Sequence, residues 1–298
     1  MRQVVSPSTG TTYGLARVCR VWELARSTIY AQRRRAHRPP EPPRRRGPRM
    51  PISDEFVLTS IREALAASPW VGEGYRKVWA RLRLSGIRTS RRRVLRVMRE
   101  ADLLAPTRAG SPHGPKAHDG TITTTRPDEM WGIDLTSTLT RREGNASIFI
   151  LVDHCTAECL GIHATHRATR FEAIEPLRQG VCEVFGTYDE GAAHGLTLRH
   201  DHGSQFVSDH FQRELAFLGM TSSPAFVREP EGNGCAERFI RTLKEQLLWL
   251  HCFDTIDDLQ IALQEFRHRY NSSWLLQRHG FISPAAARQA LAGLQAAA

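Results

Sequence analysis

Three acids stand out because of where the local sequence puts them. Asp134 interrupts the apolar run WGIDLT, a place where a carboxylate is costly unless it is paired or metal-bound. Asp201 follows LTLRH and precedes GSQF, at the C-terminal end of a short strand, where α/β sheets place their chemistry. Glu237 lies in EGNGCAERFIRTLKEQLL (231–248), where Ala236, Ile240, Leu243 and Leu247 form an apolar stripe with a period of about 3.6. Glu237, Arg241 and Lys244 fall at i, i+4 and i+7 on another face of the same segment. Alone, that face also fits a solvated helix surface with one ion pair. Thirty-five residues separate Asp201 from Glu237, and chance supplies about three such pairs in a chain this long. What carries weight is that each acid comes at an element end or inside a distinctive local sequence.

The elements that must position these acids begin at Asp128. MWGIDLTST, NASIFILVDH and CLGIHATH read as three closely spaced strands. RFEAIEPLRQGVCEVFG is an amphipathic helix, LTLRHD a short strand, SDHFQRELAFLG a helix capped by Ser208, and MTSSPAF a last short strand. Strands first, then alternation with helices, predict a mixed sheet with helices packed on its faces. TIDDLQIALQEFRHRY is a further helix capped by Thr255, and the terminal LAGLQAAA is expected to fray. Asp153, in ILVDHC, is the main rival acid, although a turn or surface role is the plainer reading. Trp131 is expected to pack in the core.

The 298 residues carry a net charge of +10, unevenly distributed. Residues 1–127 hold 26 Lys/Arg against 9 Asp/Glu, whereas residues 128–298 hold 15 against 22. A polycationic front suits a polyanionic partner, nucleic acid first. Within it, LARVCRVW, a turn near Glu23–Ala25, and STIYAQRRR with Ser27 as N-cap outline a helix-turn-helix ending in Arg33, Arg34 and Arg35. RPPEPPRRRGPRM (38–50) reads as a basic linker. Ile52 to Leu104 forms a second helical unit, with Gly86 ending its middle helix and Thr89 or Ser90 capping the third. In that third helix Arg91, Arg92, Arg93, Arg96 and Arg99 flank an apolar stripe. With few acids nearby to pair them, contact with DNA phosphates is preferred over a solvated face. Ala105–Arg126 is a linker, and deleting residues 1–104 is expected to abolish DNA binding while leaving the core folded. No apolar run approaches the ~20 residues of a membrane span and the start lacks a signal-peptide core, so a cytoplasmic protein is expected. The six cysteines form no CxxC pair, which argues against a disulfide framework or a structural zinc site.

WGIDLT, HDHGSQF and NGCAERFIRTLK, with the 35-residue gap, resemble the catalytic core of DDE transposases and retroviral-type integrases. Within these the chain looks most like the second-frame protein of bacterial insertion sequences. GYRKVWARLRLSGIRTSRRRVLRVMREADLL is similar to the helical DNA-binding segment of that family, and EFRHRYNSSWLLQRHGFISPAAAR to its tail. The resemblance implies an α/β, ribonuclease H-like mixed five-stranded sheet with flanking helices, preceded by all-helical DNA-binding regions. Its divisions would be 1–50 (helix-turn-helix-like segment and basic linker), 51–106 (helical DNA-binding domain), 107–127 (linker), 128–250 (catalytic core) and 251–298 (C-terminal helical extension).

The resemblance also implies an enzyme, a DDE-type polynucleotidyl transferase that cleaves insertion-sequence ends and transfers strands. Asp134, Asp201 and Glu237 would be its catalytic, metal-binding triad. Two Mg²⁺ ions about 3.5–4 Å apart, replaceable by Mn²⁺, suit hard oxygen ligands. Asp134 would bridge both ions, with Asp201 and Glu237 completing one site each. Without metal the acids repel, so the site is expected to be loose or partly protonated. Lys244 matches the family's basic residue that contacts the DNA end, and it is one of only three lysines among 41 Lys/Arg. Arg241, Arg91, Arg92, Arg93, Arg96, Arg33, Arg34 and Arg35 are the other expected DNA contacts. Implied partners are double-stranded DNA (element ends and target), further copies of the chain on paired ends, and an upstream-frame helix-turn-helix protein joined by frameshifting; no membrane is implied. The hinge EPEGNG is expected to be mobile without DNA and ordered with it. His202, where many relatives carry Asn, and SSWLLQRHG, in place of a Pro-containing form, bear on subgroup and target preference. The alternatives are a DNA-binding regulator of transposition with an unused core, and a nuclease of the same fold.

Overall fold

The computed structural model describes residues 4–37, 52–106, 124–225 and 233–296. The basic linker, most of the second linker and residues 226–232 of the hinge region lie outside the described residues. Two compact units are present, residues 1–53 and 54–298. In the first, α1 (Leu15–Val21) and α2 (Arg26–Ala36) are joined by a turn in which Glu23 adopts φ +52°. The N-cap of α2 is Ala25 rather than Ser27. The helix starts one residue before that serine, which therefore sits inside its first turn and cannot cap it. Cys19 is buried between the helices, while Val21, Trp22, Leu24 and Tyr30 stay exposed.

The second unit opens with α3 (Asp54–Ala66), α4 (Tyr75–Leu84) and α5 (Arg91–Glu100). Their apolar rows meet through Val57, Ile61, Val78, Leu82, Val94, Val97 and Met98, all buried. Gly86 follows α4 at φ +82°, a conformation glycine takes at least cost, and the Ser90 hydroxyl caps α5 by accepting from Arg93 N–H at 3.2 Å.

The sheet that follows has the strand order β3-β2-β1-β4-β5. β1 (Met130–Thr140), β2 (Gly144–Asp153) and β3 (Cys159–Thr165) form an antiparallel meander, and β4 (Thr197–His200) and β5 (Thr221–Pro224) run parallel to β1. Strand alternation assigns the two faces. Trp131, Ile133 and Leu135 pack with α6 (Ile174–Phe185) and α8 (Asp209–Phe217), which follows the single turn α7 (Ser204–Val207). The opposite face, with Ile148, Ile150 and Val152, packs on α9 (Gly234–Leu243) and α10 (Ile256–Ser273). Thr255 caps α10 in a full capping box with Asp258. No described helix is long and apolar enough to cross a membrane.

β3 is an edge strand, and α10 closes that edge with side chains. Gln260, Gln264, Arg267 and Asn271 recur on one helical face. Ala164 N–H donates to Gln260 at 2.7 Å, and Ile162 C=O accepts from Gln264 at 3.1 Å. Arg267 donates to the carbonyls of Cys159 and Leu160. Asn271 both donates to and accepts from the backbone of Cys159 at 2.9 Å. Backbone groups that would invite a foreign strand are thus all engaged.

Two parts expected to stand apart belong to this same unit. Phe253, Ile256, Leu259, Leu263, Phe266 and Tyr270, beyond residue 250, lie in the core of the α9 face. α11 (Pro284–Ala296) extends as helix into LAGLQAAA, whose last two residues lie outside the described ones. Its Arg288 is half-buried and pairs with Asp128 at 2.6 Å and with Glu158, which fastens the helix to the sheet. Trp70, between α3 and α4, is buried in the same cluster, edge-on to Phe266 (5.8 Å) and Trp274 (4.9 Å). Ala80 and Trp79 pack on Phe281. Deleting residues 1–104 would uncover Phe266 and Trp274, so we expect the core to lose stability with it. Trp70→Ala should cost about 3–5 kcal/mol in urea unfolding of the full chain, and a fragment beginning at residue 105 should show a lowered Tm or be insoluble.

Candidate functional site

Asp134 lies in the middle of β1, paired with Ile150 across the ladder and therefore on the α9 face. β4 runs beside β1 in the register Met130↔Thr197, Trp131↔Leu198, Gly132↔Arg199. Continuing that register by two residues brings Asp201, just past the end of β4, alongside Asp134. α9 docks over β1 and β2 through Ala236, Phe239, Ile240 and Leu243, leaving Glu237 exposed in its first turn. Phe239 belongs to the buried face, alongside the stripe read from the periodicity.

Asp134 feels the charges of the other two acids. Burial pushes the Asp134 carboxyl up to about 6, and the charges of Asp201 and Glu237 add to that rise. The Leu135 N–H, at 2.8 Å, and the Lys244 ammonium offset part of it. Partial desolvation raises Glu237 as well. Asp201 is exposed and accepts from Gly203 N–H at 2.9 Å. Among the described residues none of the three carboxylates has an ion-pair partner, and they are not gathered closely enough to form a closed set of metal ligands. Like charges at the mouth of a half-buried site hold such groups apart.

Periodicity alone did not reveal two features of the site. Asn233, next to the start of α9, donates from Nδ2 to Ile133 C=O at 3.0 Å, tying the helix to the residue before Asp134. Gly132 makes room for it, since a Cβ there would collide with Asn233 Oδ1 and lie 2.8 Å from His154 Nε2. Burial lowers the pKa of His154 to about 4, so it stays neutral. The second feature is the end of α9, where residues Lys244–Leu248 wind as a π-helix and Trp249 N–H donates to Lys244 C=O at 2.9 Å. Arg241 pairs with Glu245 at 3.0 Å.

Asp153 does not join the acids. It is fully buried and accepts from Thr156 N–H (2.6 Å), Thr156 hydroxyl (2.8 Å) and Asp128 N–H (3.0 Å), a turn role in the interior and not on the surface. Trp131 is a core residue whose indole donates to Asp128.

The arginine-rich helix differs from expectation in its partners. Arg93 and Arg96 both bond to Asp54 at 2.7 Å, and Arg96 also pairs with Glu100 at 2.8 Å. Asp54, 39 residues before Arg93, lies beside it because α3 packs on α5. Its carboxyl is held down at about 2 by Arg96 first and then Arg93. The reading that few acids pair with this helix is thus corrected for these two arginines. Arg91 lies over the Trp79 ring at 4.3 Å, while Arg92 and Arg99 point to solvent. In the first unit Tyr30, Arg33, Arg34 and His37 line a shallow open pocket, and Arg35 is exposed.

Family models match along most of this length. Residues 52–110 match an HTH-like domain, and residues 124–230 and 218–284 match two models of the integrase core domain. Transposase InsD of insertion elements IS2A/D/F/H/I/K from Escherichia coli is 28% identical over 240 residues, covering 78% of this chain and 77% of that one. InsD of element IS2D from strain K12 matches to the same extent. Among solved structures, the simian T-cell lymphotropic virus intasome in complex with PP2A regulatory subunit B56 gamma overlays with a TM-score of 0.46 at 17% identity, covering 70% of each chain. The catalytic core of BIV integrase overlays with a TM-score of 0.41 at 17% identity, covering 56% of this chain and 98% of the other. The mixed five-stranded sheet and the two core models, which together span residues 124–284, define an integrase-core polynucleotidyl transferase. Within that class the chain belongs with the insertion-element transposases.

The raised Asp134 gives a pH signature. Its folded pKa, about 6, lies above the ordinary 3.8. The folded state therefore holds a proton that the unfolded state has lost, and stability drains away as pH rises from about 4 to about 6. Asp134→Asn should raise stability at pH 8 by on the order of 1–3 kcal/mol and make no difference near pH 3.5, as read by thermal unfolding without divalent ions.

Proposed function

We propose that the chain cleaves DNA at the ends of an insertion element and joins those ends to target DNA, with Asp134, Asp201 and Glu237 as its catalytic carboxylates. The observation that carries this reading is that the buried Asp134 carboxyl feels the charges of Asp201 and Glu237, from two other elements, with Lys244 as the opposing charge. Those acids fit a divalent cation by chemistry: three hard oxygen donors, none neutralised by an arginine, two of them raised by burial. Asp134, Asp201 and Glu237 would hold Mg²⁺ or Mn²⁺, and the bound ions supply Lewis-acid stabilisation of charge at the scissile phosphate.

The chain's own residues supply the rest. The Leu135 and Gly203 N–H groups fix one oxygen each of Asp134 and Asp201, leaving the second oxygens available. The Lys244 ammonium, on the acid side of α9, is placed to receive a phosphate of the DNA end. Arg92, Arg99, Arg34 and Arg35, exposed on α5 and α2, serve backbone phosphates. Arg93 and Arg96 order α5 against α3 through Asp54, so their contribution to DNA is the posture of the helix. The assembly that acts is a set of copies on paired ends.

Joining assays with Mg²⁺ and duplexes cut from the ends of the DNA element that carries this reading frame test the proposal. Wild type should transfer strands, and Asp201→Asn and Glu237→Gln should lose at least about 10²-fold in rate. If both variants join DNA as well as wild type, the core is unused and the reading fails. DNA affinity should fall with salt, log K dropping by ~0.9 for each phosphate contacted. Arg92→Ala should lower that slope by about one contact in a filter-binding titration from low to moderate salt.

A further inference from the structure

The end of the catalytic helix is tied to the HTH-like domain by one side chain. Gln246 is buried within the π-helical turn Lys244–Leu248. Its Oε1 accepts from Val71 N–H at 2.9 Å, and its Nε2 donates to Val71 C=O at 2.9 Å. Both polar ends of the amide are spent on the backbone of a single residue in the α3–α4 connection, while the Val71 side chain itself is 63% exposed. The bond pair thus senses where that backbone lies and not which side chain it carries.

That connection is built to keep its shape. Ser68 hydroxyl donates to buried Glu73 at 2.8 Å, and Arg81 of α4 holds the same carboxylate with bonds of 2.5 and 2.9 Å. Trp70, next to Val71, is wedged against Phe266 and Trp274 of the core. Arg81 thus ties α4, and Trp70 ties the core, to the short connection that presents the Val71 backbone. On the other side of the bond pair, one extra residue per turn rotates everything beyond Lys244 by about 100° relative to an uninterrupted α-helix. Gln246 is thereby turned inward to Val71 while Lys244, two residues earlier, keeps its charge on the side of Asp134.

We infer that Gln246 is a positioning residue: by clamping the π-turn to the Val71 backbone it sets the reach of Lys244 to the DNA end and links the HTH-like domain to the carboxylate site. This rests on the function proposed above. The helical domain carries DNA, the Ser68–Gly74 connection carries its position, and the π-turn converts that position into the placement of one ammonium group.

The test uses the full chain with Mg²⁺ and 3′-hydroxyl duplexes from the ends of the encoding element. It compares wild type, Gln246→Ala, Lys244→Ala, the double variant and Gln246→Glu. Affinity is read by fluorescence anisotropy and joining by single-turnover rate, well below each variant's Tm. Gln246→Ala should bind the duplex within about threefold of wild type yet join about tenfold more slowly. Lys244→Ala should cost much less in the Gln246→Ala background than in wild type, because both changes remove the same placement. Gln246→Glu keeps an acceptor for Val71 N–H and loses the donor, so its rate should fall between those of wild type and Gln246→Ala; it also carries the test if Gln246→Ala aggregates. A lowered Tm with an unchanged joining rate, or costs that multiply independently, overturns the inference and leaves the proposed function standing. Absence of joining by the wild type itself overturns the proposed function first.

Discussion

A carboxylate placed in the middle of a buried strand is the constraint around which this core is arranged. Asp134 cannot be moved to solvent without breaking the pairing of β1 with β2 and β4, so its surroundings must make its charge bearable. One backbone N–H and one distant ammonium do part of that, and burial still pushes the carboxyl up to about 6. The parallel register of β4 then places a second acid alongside, and α9 brings a third over the same face. Gly132 and Asn233 serve the same end: the small residue admits the amide that fastens α9 next to the buried acid.

Around that centre the molecule is less divisible than its composition suggests. The charge reverses between the arginine-rich front and the acidic body, and a Pro/Gly-rich stretch separates them, which invites a picture of beads on a string. Packing overrides it. Trp70 of the helical domain and Phe266, Tyr270 and Trp274 of the tail share one aromatic cluster beside α9. Arg288 reaches back from the last helix to Asp128 at the start of the sheet. Residues 54–298 consequently form one unit, with the HTH-like region leaning on the tail as much as on the sheet.

Much of this was legible in the chain, for identifiable reasons. The helices between residues 130 and 224 each show one apolar face and β2 reads as a continuous apolar run because both its faces are covered, while Ser90, Ser208 and Thr255 cap helices as their types suggest. Asp134, Asp201 and Glu237 drew notice as candidates because each sits at an element end or inside a distinctive local sequence. What stayed hidden depends on contacts between distant segments. Asp54 neutralises arginines 39 and 42 residues away, which no local count of acids registers. Asn233 and Gln246 each bond to a backbone group that only the folded chain brings near. The π-turn is invisible to a period search because it is a single departure inside an otherwise regular helix. Ser27 misled because a capping residue type says where a helix can begin, and not that it begins there.

The sealed edge of β3 carries a consequence for how the protein is made. Apart from Ile162 N–H, which Gln179 of α6 meets, its bonded outward backbone groups find their partners on α10, between 96 and 112 residues later in the chain. A nascent polypeptide exposes that edge for the whole interval during which α6, β4, α8, β5 and α9 are synthesised. Only when Asn271 has left the ribosome does the strand stop resembling an open template. A product terminated anywhere in that interval keeps every candidate catalytic acid made up to that point and still lacks the one helix that keeps its sheet from adding to another. The tail therefore covers the sheet edge as well as filling part of the core, and the helix that does so is made after every strand it protects.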